Sequence, residues 1–370
     1  MTPTPATASP PPGARPVVEV VCGVIWSETG HYLLAQRPEG RIWSGYWEFP
    51  GGKIEPGEPA QAAMARELRE ELGITVTRAD PWLLKVFEYP HAVVRLHFFH
   101  VREWSGVPTG LEGQALHWQT PSTPCEVEPL LPANAPILRS LAMPCWLPVT
   151  PPETVAHGEA LAVVSAGLPR WASTGLRAAA REAPAQFVER DLQGINCATG
   201  FAANAADTRG ADDRLPSAER WLQIRRGHLT VAEWRDWAAL CADHGVVPIA
   251  NTSIEEATAL CATALHLNAA RLLALEKRPQ VPLVGASVHN EAEITKAAAL
   301  GLDYVILGSV MQTPSHPGRA GLGWKAWADV ARWAPLPVYA IGGLAPHHLD
   351  EARGHGASGI AMIGAAWQPV

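Results

Sequence analysis

The chain of 370 residues is predicted to fold as two α/β domains in tandem. Its length exceeds that of one ordinary domain, and an apolar content of 47% is ample for two buried cores. The first part combines β-rich runs with a helix bounded by a proline and a glycine. From Trp146 onward, short apolar strands alternate with helices, which is typical of βα units on a parallel sheet. We therefore expect an α/β domain followed by a TIM (β/α)8 barrel.

Composition limits the partners of this protein. A net charge of −7 and a pI near 6.1 leave no basic surface for duplex nucleic acid, so a small phosphorylated ligand is expected instead. The six cysteines form no C-x-x-C pair and are interpreted as buried thiols in a reducing cytosol, not as a zinc site or a disulfide framework. Residues 1–16 are predicted to be a disordered leader. No apolar run approaches the roughly 20 residues that span a bilayer, so we expect a soluble cytoplasmic protein without a membrane partner.

The β-rich runs of the first domain come in order along the chain. Val17–Trp26 and Tyr32–Gln36 are separated by turn residues and are predicted to form a hairpin. Two further strands are expected at Trp82–Tyr89 and Val93–Val101, and an apolar segment at Ala115–Trp118 follows a polar loop.

A glycine-rich loop and the helix after it organise this domain. Gly52 and Gly57 permit a tight loop, Pro59 suits a first helical position, and Gly73 suits the residue just past a helix end. The helix is therefore predicted from Pro59 to Leu72.

Three carboxylates share one face of this helix. Glu67, Glu70 and Glu71 stand at i, i+3 and i+4. Like charges at this spacing repel by about 0.2–0.5 kcal/mol per pair. The arrangement is either a solvated acidic face or a site for a hard divalent cation such as Mg²⁺ or Mn²⁺, which takes oxygen ligands and bridges to phosphates.

The complete spacing resembles the Nudix box: Gly52, five residues, Glu58, seven residues, then Arg66-Glu67-Leu68-x-Glu70-Glu71-x-Gly73-Ile74. The resemblance covers about residues 17–143. It implies an α/β/α sandwich and metal-dependent hydrolysis of a nucleoside diphosphate linked to another moiety. It also implies Glu70 and Glu71 as first metal ligands, Glu67 as ligand or general base, Glu58 in support, and Arg66 pairing with these acids. Which glutamate takes the proton stays open.

Other residues of the first domain are candidates for substrate contacts. Arg37 is either a surface charge or a contact to substrate phosphate or base, and Phe49 either belongs to the core or lines a base pocket. Glu112-Gly113-Gln114 is similar to the MutT branch of the family, in which this glutamate is a further metal or catalytic carboxylate. Asn134 lies in a segment similar to the Pro-Ala-Asn of MutT-type enzymes, whose amide reads a purine edge and favours 8-oxoguanine. With Gly52, the residues Arg37, Phe49 and Asn134 form the predicted substrate-binding set.

The second domain, residues 146–370, is predicted to contain eight strands. The long connection after the first strand includes a segment rich in Ala, Gly, Asn and Asp at residues 194–217, which is interpreted as a flexible insertion. The strands are expected near Trp146–Val149, Trp221–Arg225, Val247–Ala250, Ala264–Leu267, Pro282–Ala286, Tyr304–Gly308, Pro337–Ile341 and Gly359–Ile363.

The ends of these strands resemble thiamine phosphate synthase and its thiazole tautomerase relatives. The resemblance covers about residues 146–367 and implies a thiazole or thiamine phosphate ligand. Ser287, Gly342, Gly343 and Gly364 are the expected phosphate contacts, although the glycines also suit tight turns. His289 is either structural or the proton-transferring histidine of the tautomerases. The matching segments are Gln223-Ile-Arg225, Leu265-His266-Leu267, Gly285-Ala-Ser287-Val-His289, Asp303-Tyr-Val-Ile-Leu-Gly308, Ala340-Ile-Gly342-Gly343 and Gly359-Ile-Ala-Met-Ile-Gly364.

Two departures from the synthase pattern concern its metal site. The synthases place an Asp where this chain has Thr252, after Asn251, and another where it has Arg271. Those acids hold the Mg²⁺ of the pyrophosphate substrate, so the synthase reaction is not expected here.

The leading functional hypothesis is Mg²⁺-dependent hydrolysis of 8-oxo-dGTP to 8-oxo-dGMP and pyrophosphate, which removes oxidised nucleotides from the pool. Alternatives are a Nudix hydrolase for CTP, dCTP or a nucleotide sugar, and a non-catalytic nucleotide-binding or DNA-repair module. A third alternative makes the barrel the main activity, with thiazole or thiamine phosphate chemistry.

Overall fold

A computed structural model describes residues 15–88, 92–121, 123–151, 154–173, 220–313, 318 and 320–367. The predicted insertion at residues 194–217 lies outside these ranges, as do residues 1–14 of the predicted leader. Within them, no helix has the length and apolar character needed to cross a membrane.

The N-terminal domain contains two three-stranded sheets, with strand orders β1-β5-β4 and β3-β2-β6. In the first sheet β1 runs parallel to β5, and β5 runs antiparallel to β4. The elements are β1 (Val17–Ile25), β2 (Tyr32–Gln36), β3 (Trp47–Glu48), α1 (Ala60–Leu72), β4 (Thr75–Glu88), β5 (Val93–Ser105), β6 (Leu116–Gln119) and α2 (Ala135–Leu141).

The predicted hairpin of β1 and β2 is wrong. The two strands belong to different sheets, and a bridge between Trp26 and Tyr32 joins them at the turn. One edge of β1 pairs with β5, and the glycine-rich loop occupies the other edge, where Gly52 O accepts a hydrogen bond from Val21 N at 2.9 Å. Because both edges of β1 are occupied, the chain passes to the second sheet after Trp26.

Helices cover the sheets on two sides. The apolar face of α1, with Met64 and Leu68, packs in one core cluster with Val21 and Phe99. The buried Ile137 of α2 belongs to a second cluster. The α/β/α sandwich implied by the Nudix box is confirmed.

Eight parallel strands form the second domain, in the order β7-β14-β13-β12-β11-β10-β9-β8. The barrel closes between β7 and β8, the two ends of this order: Thr150 N, just after β7, donates a hydrogen bond to Gln223 O of β8 at 2.9 Å. All eight predicted strands are confirmed: β7 (Trp146–Pro148), β8 (Trp221–Ile224), β9 (Val247–Asn251), β10 (Ala264–Leu267), β11 (Leu283–Val288), β12 (Tyr304–Gly308), β13 (Val338–Ile341) and β14 (Gly359–Met362).

Helices surround the barrel, and its interior is filled by side chains. Tyr304, Ile306 and Tyr339 belong to the interior cluster, as expected for alternate residues of strands in a closed barrel. The described helices are α3 (His157–Ser173), α4 (Val231–Asp243), α5 (Ile254–Ala259), α6 (Ala269–Ala274), α7 (Glu291–Ala299), α8 (Gly323–Ala331), α9 (Leu349–Gly354) and α10 (Gly364–Trp367), with a 3₁₀ turn at Pro346–His348.

The N-terminal domain contacts the barrel through β4 and β5. Trp82 Nε1 donates to Ser358 Oγ at 2.8 Å, and Leu84 N donates to Ala334 O at 3.2 Å. The ring of Trp333 packs edge-on against His97 and Phe99. Since the barrel residues in these contacts precede β13 and β14, the N-terminal domain lies at the end of the barrel where the strands begin.

Candidate active site

Arg66 on α1 binds three of the predicted acids. Its Nε and Nη2 donate to the two oxygens of Glu58, each at 2.9 Å. Its Nη1 donates to Glu67 at 2.8 Å and to Glu70 at 3.3 Å. These hydrogen bonds from Arg66 lower the pKa of Glu58 to about 2, with help from the backbone N–H of Glu55. The structure thus brings together Glu58, Glu67 and Glu70 around one guanidinium.

Glu71 lies on the buried side of this group. Its Oε2 accepts a hydrogen bond from Gly51 N at 3.1 Å. Burial raises the pKa of Glu71 to about 7; the Gly51 N–H opposes the rise, and the charges of Glu112, Glu48 and Glu67 add to it. A positive charge near Glu71 would stabilise the ionised form of this carboxyl group.

The carboxylate of Glu67 lies where the side chain of any larger residue at position 52 would begin. A Cβ atom added at Gly52 would lie 2.2 Å from the Glu67 carboxyl carbon. The end of a glutamate side chain can move aside, so a larger residue at this position would displace the carboxylate and leave the backbone in place.

We therefore expect Gly52→Ala to fold normally and to lose activity. A misplacement of about 1 Å at a reacting group costs up to about 100-fold in rate, so kcat should fall by at least about 10-fold while Tm stays within about 2 °C. Steady-state kinetics and thermal unfolding measure the two effects. Gly158→Ala is the matched control, because a Cβ there meets no atom within 4 Å. Wild-type kcat in Gly52→Ala would contradict this role.

The loop between β5 and β6 places Glu112 beside the end of α1. Gln114 Nε2 donates to the Glu71 carbonyl at 3.1 Å, and Gln114 Oε1 accepts from Glu112 N at 2.8 Å. Leu111 N donates to Glu71 O at 3.0 Å. The loop thus satisfies carbonyl groups that a helix end leaves without an intrahelical partner.

Glu71 and Glu112 line a cleft together with a third carboxylate, Glu48, which is not predicted from the sequence. Arg37 Nη1 donates to both of its oxygens at 2.6 Å, and Arg37 Nε donates to Ile42 O at 2.9 Å. Burial raises the pKa of Glu48, while Arg37 acts in the opposite direction. The sequence feature that could have identified Glu48 is its place in β3, where it follows the inward-facing Trp47 and shortly precedes the glycine loop. The polar residues lining this cleft are Gln36, Arg37, Arg41, Glu48, Glu71, Glu112 and Gln114.

Phe49 and Asn134 lie beside the cleft, not on its lining. Phe49 is 3% exposed and packs against Tyr32 and Phe98 in the core. Asn134 is also buried, and its Nδ2 donates to the carbonyl of Trp47 at 3.4 Å. Asn134 is therefore tied to the strand that carries Glu48.

The acids suit a hard cation by their donor atoms. Within the described residues, no group of three Asp, Glu, His or Cys side chains already has the geometry of a metal site. Arginines bind these carboxylates: Arg66 contacts those of Glu58, Glu67 and Glu70, and Arg41 contacts that of Glu112. Carboxylate oxygens are the ligands that Mg²⁺ and Mn²⁺ take, and the absent side chain of Gly52 leaves room for Glu67. The residues present therefore fit such an ion once their side chains turn toward it.

The barrel residues predicted to bind phosphate lie at the ends of strands. Ser287 Oγ lies 2.9 Å from Nε2 of the buried His266, whose Nδ1 lies 3.2 Å from the Tyr304 hydroxyl. Gly342 has φ +108°, and a Cβ atom there would overlap Ser309 Oγ, so only glycine fits. Gly343 follows it after β13, and Gly364 begins α10.

His289 is exposed and contacts Glu293 of the helix α7. Its backbone N–H donates to Glu293 Oε2 at 2.8 Å, and its Nδ1 lies 3.1 Å from the same oxygen. The position of one missing synthase acid, Thr252, is also occupied by a local contact. Thr252 Oγ1 donates to Glu256, which pairs with His228 at 2.8 Å.

Comparison with known proteins agrees with both halves of this structure. A family model described as NUDIX domain matches residues 21–140, and one described as Thiamine monophosphate synthase matches residues 198–366. An 8-oxo-dGTP diphosphatase of Haemophilus influenzae is 37% identical over 127 residues, which are 34% of this chain and 93% of the relative. A CTP pyrophosphohydrolase of Escherichia coli is 40% identical over 124 residues, 34% of this chain and 90% of the relative.

The barrel has more distant relatives. A thiamine-phosphate synthase of Thermosynechococcus vestitus is 31% identical over 152 residues, 40% of this chain, and the chain spans 43% of that protein's length. For the first domain, three observations point to the same family: the match spans 93% of the diphosphatase's length, α1 carries the acids of the Nudix box, and the fold is the sandwich that the box implies. The chain belongs to the Nudix family through its N-terminal domain, which is fused to a C-terminal thiamine-phosphate synthase-like barrel.

Proposed function

We propose that the N-terminal domain is an Mg²⁺-dependent nucleoside triphosphate diphosphatase that hydrolyses 8-oxo-dGTP to 8-oxo-dGMP and pyrophosphate. The observation that carries this proposal is the convergence of Glu58, Glu67 and Glu70 on Arg66, with Glu71 bound to the glycine loop beside them. A cluster of this charge at a polar cleft suits a polyphosphate only when cations are present.

Each acid has a part in this proposal. Glu67, Glu70 and Glu71 would hold Mg²⁺ or Mn²⁺, with Glu112 and Glu58 in support. The bound ion would neutralise the polyphosphate and lower the pKa of a bound water. Arg66 would hold Glu58, Glu67 and Glu70 together beside the glycine loop, and the carboxylates that take the ion would turn from the guanidinium toward it. Water attacks a phosphorus atom, a P–O bond breaks to release pyrophosphate, and a carboxylate accepts the proton of the water.

The proposal is tested by pyrophosphate release from a panel of 8-oxo-dGTP, dGTP, CTP, dCTP and a nucleotide sugar, each with Mg²⁺. Preference for 8-oxo-dGTP supports nucleotide-pool sanitation. A flat or pyrimidine-biased profile would reject this substrate while keeping the hydrolytic chemistry. Absence of release from every substrate would reject the enzyme.

Asn134 supplies the expected preference for an oxidised purine. An amide offers both a donor and an acceptor to a base edge, and one such hydrogen bond contributes about 0.5–1.5 kcal/mol. We expect Asn134→Ala to lower the ratio of kcat/KM for 8-oxo-dGTP over dGTP by about 3- to 10-fold. Steady-state kinetics with both nucleotides measures this ratio. An unchanged ratio would remove Asn134 from substrate selection.

A pyrimidine triphosphate is the second candidate substrate. The observation that favours it is the 40% identity to a CTP pyrophosphohydrolase, beside 37% to the 8-oxo-dGTP diphosphatase. The same nucleotide panel separates the two candidates.

For the barrel we propose binding of a thiazole or thiamine phosphate without synthase activity. The support for binding is Ser287, Gly342 and Gly343 at the strand ends, where barrels commonly bind phosphate. The support for lost synthase activity is Thr252, whose hydroxyl bonds Glu256 where the synthases have a metal-binding acid. Calorimetric titration with thiazole phosphate and with thiamine phosphate tests the first part, and lack of heat with both would reject it. An assay of thiamine phosphate formation tests the second.

A further inference from the structure

An ion pair between Arg41 and Glu112 crosses the cleft. Arg41 lies in the loop between β2 and β3, and Glu112 in the loop between β5 and β6. Arg41 Nη2 donates to both carboxylate oxygens, at 2.8 and 2.7 Å. Their side chains are 54% and 36% exposed. A pair this exposed contributes little to stability and can be replaced by another ion at small cost.

The other arginines of this region are bound more firmly. Arg37 and Glu48 are 24% and 26% exposed, and Arg37 also donates to the Ile42 carbonyl. Arg66 contacts three glutamates and the Lys53 carbonyl. Of the three, Arg41 is therefore the guanidinium that can leave its partner with the least loss of contacts.

The base of the Arg41 loop is held in place. Gly45 N donates to Arg37 O at 3.0 Å, and Gln36 Nε2 donates to Gly45 O at 3.0 Å. A turn of the Arg41 side chain therefore releases Glu112 without a change in the backbone that carries Arg37. The released guanidinium has five N–H donors in the planar arrangement that suits phosphate oxygens.

We propose that Arg41 is the counter-ion of Glu112 in the cation-free enzyme and a ligand of the nucleotide polyphosphate in the loaded enzyme. Both oxygens of Glu112 accept from Arg41, so a cation that takes Glu112 as a ligand competes with the guanidinium for this carboxylate. Arg41 thus opposes cation binding before substrate arrives and favours nucleotide binding afterwards. This inference rests on the proposed function, because it takes Glu112 as a supporting cation ligand.

The test measures Mn²⁺ binding without nucleotide, by the loss of the paramagnetic resonance signal of free Mn²⁺. Arg41→Gln removes the competing charge, and we expect Mn²⁺ to bind about 3- to 5-fold more tightly. Glu112→Gln should weaken binding, and the double variant should match Glu112→Gln, because Arg41 acts through that carboxylate. Unchanged or weaker Mn²⁺ binding by Arg41→Gln would overturn the counter-ion role.

The second arm measures steady-state kinetics. We expect Arg41→Gln to raise KM for the nucleotide about 10-fold with kcat changed less than about 2-fold, and Arg41→Lys to restore part of KM. The matched control is Arg95→Gln, which removes an exposed pair with Glu19 at 2.8 Å outside the cleft and should change neither quantity. An unchanged KM in Arg41→Gln would overturn the nucleotide contact.

The two proposals fail in different ways. A wild-type enzyme that binds Mn²⁺ and releases no pyrophosphate would reject the diphosphatase, while the Mn²⁺ titrations would still decide the counter-ion role. Active wild-type enzyme with equal Mn²⁺ affinity in Arg41→Gln would reject the counter-ion role alone. If the nucleotide-free wild type binds no Mn²⁺, binding gained in Arg41→Gln would support the counter-ion role, and absence of binding in both proteins would reject that role alone.

Discussion

Replacing Glu70 by glutamine is expected to abolish metal-dependent turnover, with a loss in kcat of at least about 1000-fold, while the fold stays intact. Glutamine keeps the shape of the side chain and removes its negative charge. A catalytic cation contributes several kcal/mol to the transition state, and about 4 kcal/mol corresponds to roughly 1000-fold in rate. Glu70 is 56% exposed and its contact to Arg66 is a surface pair, so little stability is lost.

The measurement is kcat at saturating Mg²⁺, together with thermal unfolding of the same preparation. Glu126→Gln is the matched control: its carboxylate is 57% exposed and lies outside the cleft. Near-normal kcat in Glu70→Gln would show that the proposed ligand assignment is incorrect.

Replacing Trp82 by alanine is expected to lower the free energy of unfolding by about 3–5 kcal/mol. The side chain is 2% exposed and packs against His100 with ring centroids 4.3 Å apart and ring planes tilted by 33°. Its Nε1 also donates to Ser358 of the barrel. The substitution therefore removes apolar burial and a hydrogen bond between the two domains.

Urea unfolding followed by circular dichroism measures this loss. Ser358→Ala removes the hydrogen-bond partner alone and should cost about 1 kcal/mol. Trp82→Phe keeps most of the ring and should fall between the two. A change below about 1 kcal/mol in Trp82→Ala would contradict the packing of β4 against the barrel.

The parts of the fold that follow from local patterns were predictable. Short apolar runs between helical segments located all eight barrel strands, and the helices α4 and α5 begin with capping boxes at Thr230 and Ser253. The pairing partner of β1 was not predictable, because a strand pattern reveals burial and not the strand that lies beside it. Its true neighbour, β5, lies far along the chain and pairs with it in parallel.

In the candidate site, too, the residues placed by local spacing were predictable and those placed by tertiary structure were not. Helical spacing was sufficient to bring Glu67 and Glu70 together, because both lie on one face of α1. Arg41 and Glu48 are single charges without a spacing rule, so their place in the cleft depends on tertiary structure. The sequence also left Phe49 undecided between core and pocket, because an apolar residue beside a glycine loop suits both. Packing against Tyr32 and Phe98 places it in the core.

The contact of β4 and β5 with the barrel has a consequence for any joint use of the two domains. It covers the end of the barrel where the strands begin, whereas Ser287, Gly342 and Gly343 lie toward the opposite end. The strand ends that carry these three residues therefore lie away from the contact between the two domains. Fusion ensures equal copy numbers of the two domains, and their shared contact leaves the candidate phosphate end of the barrel uncovered by β4 and β5.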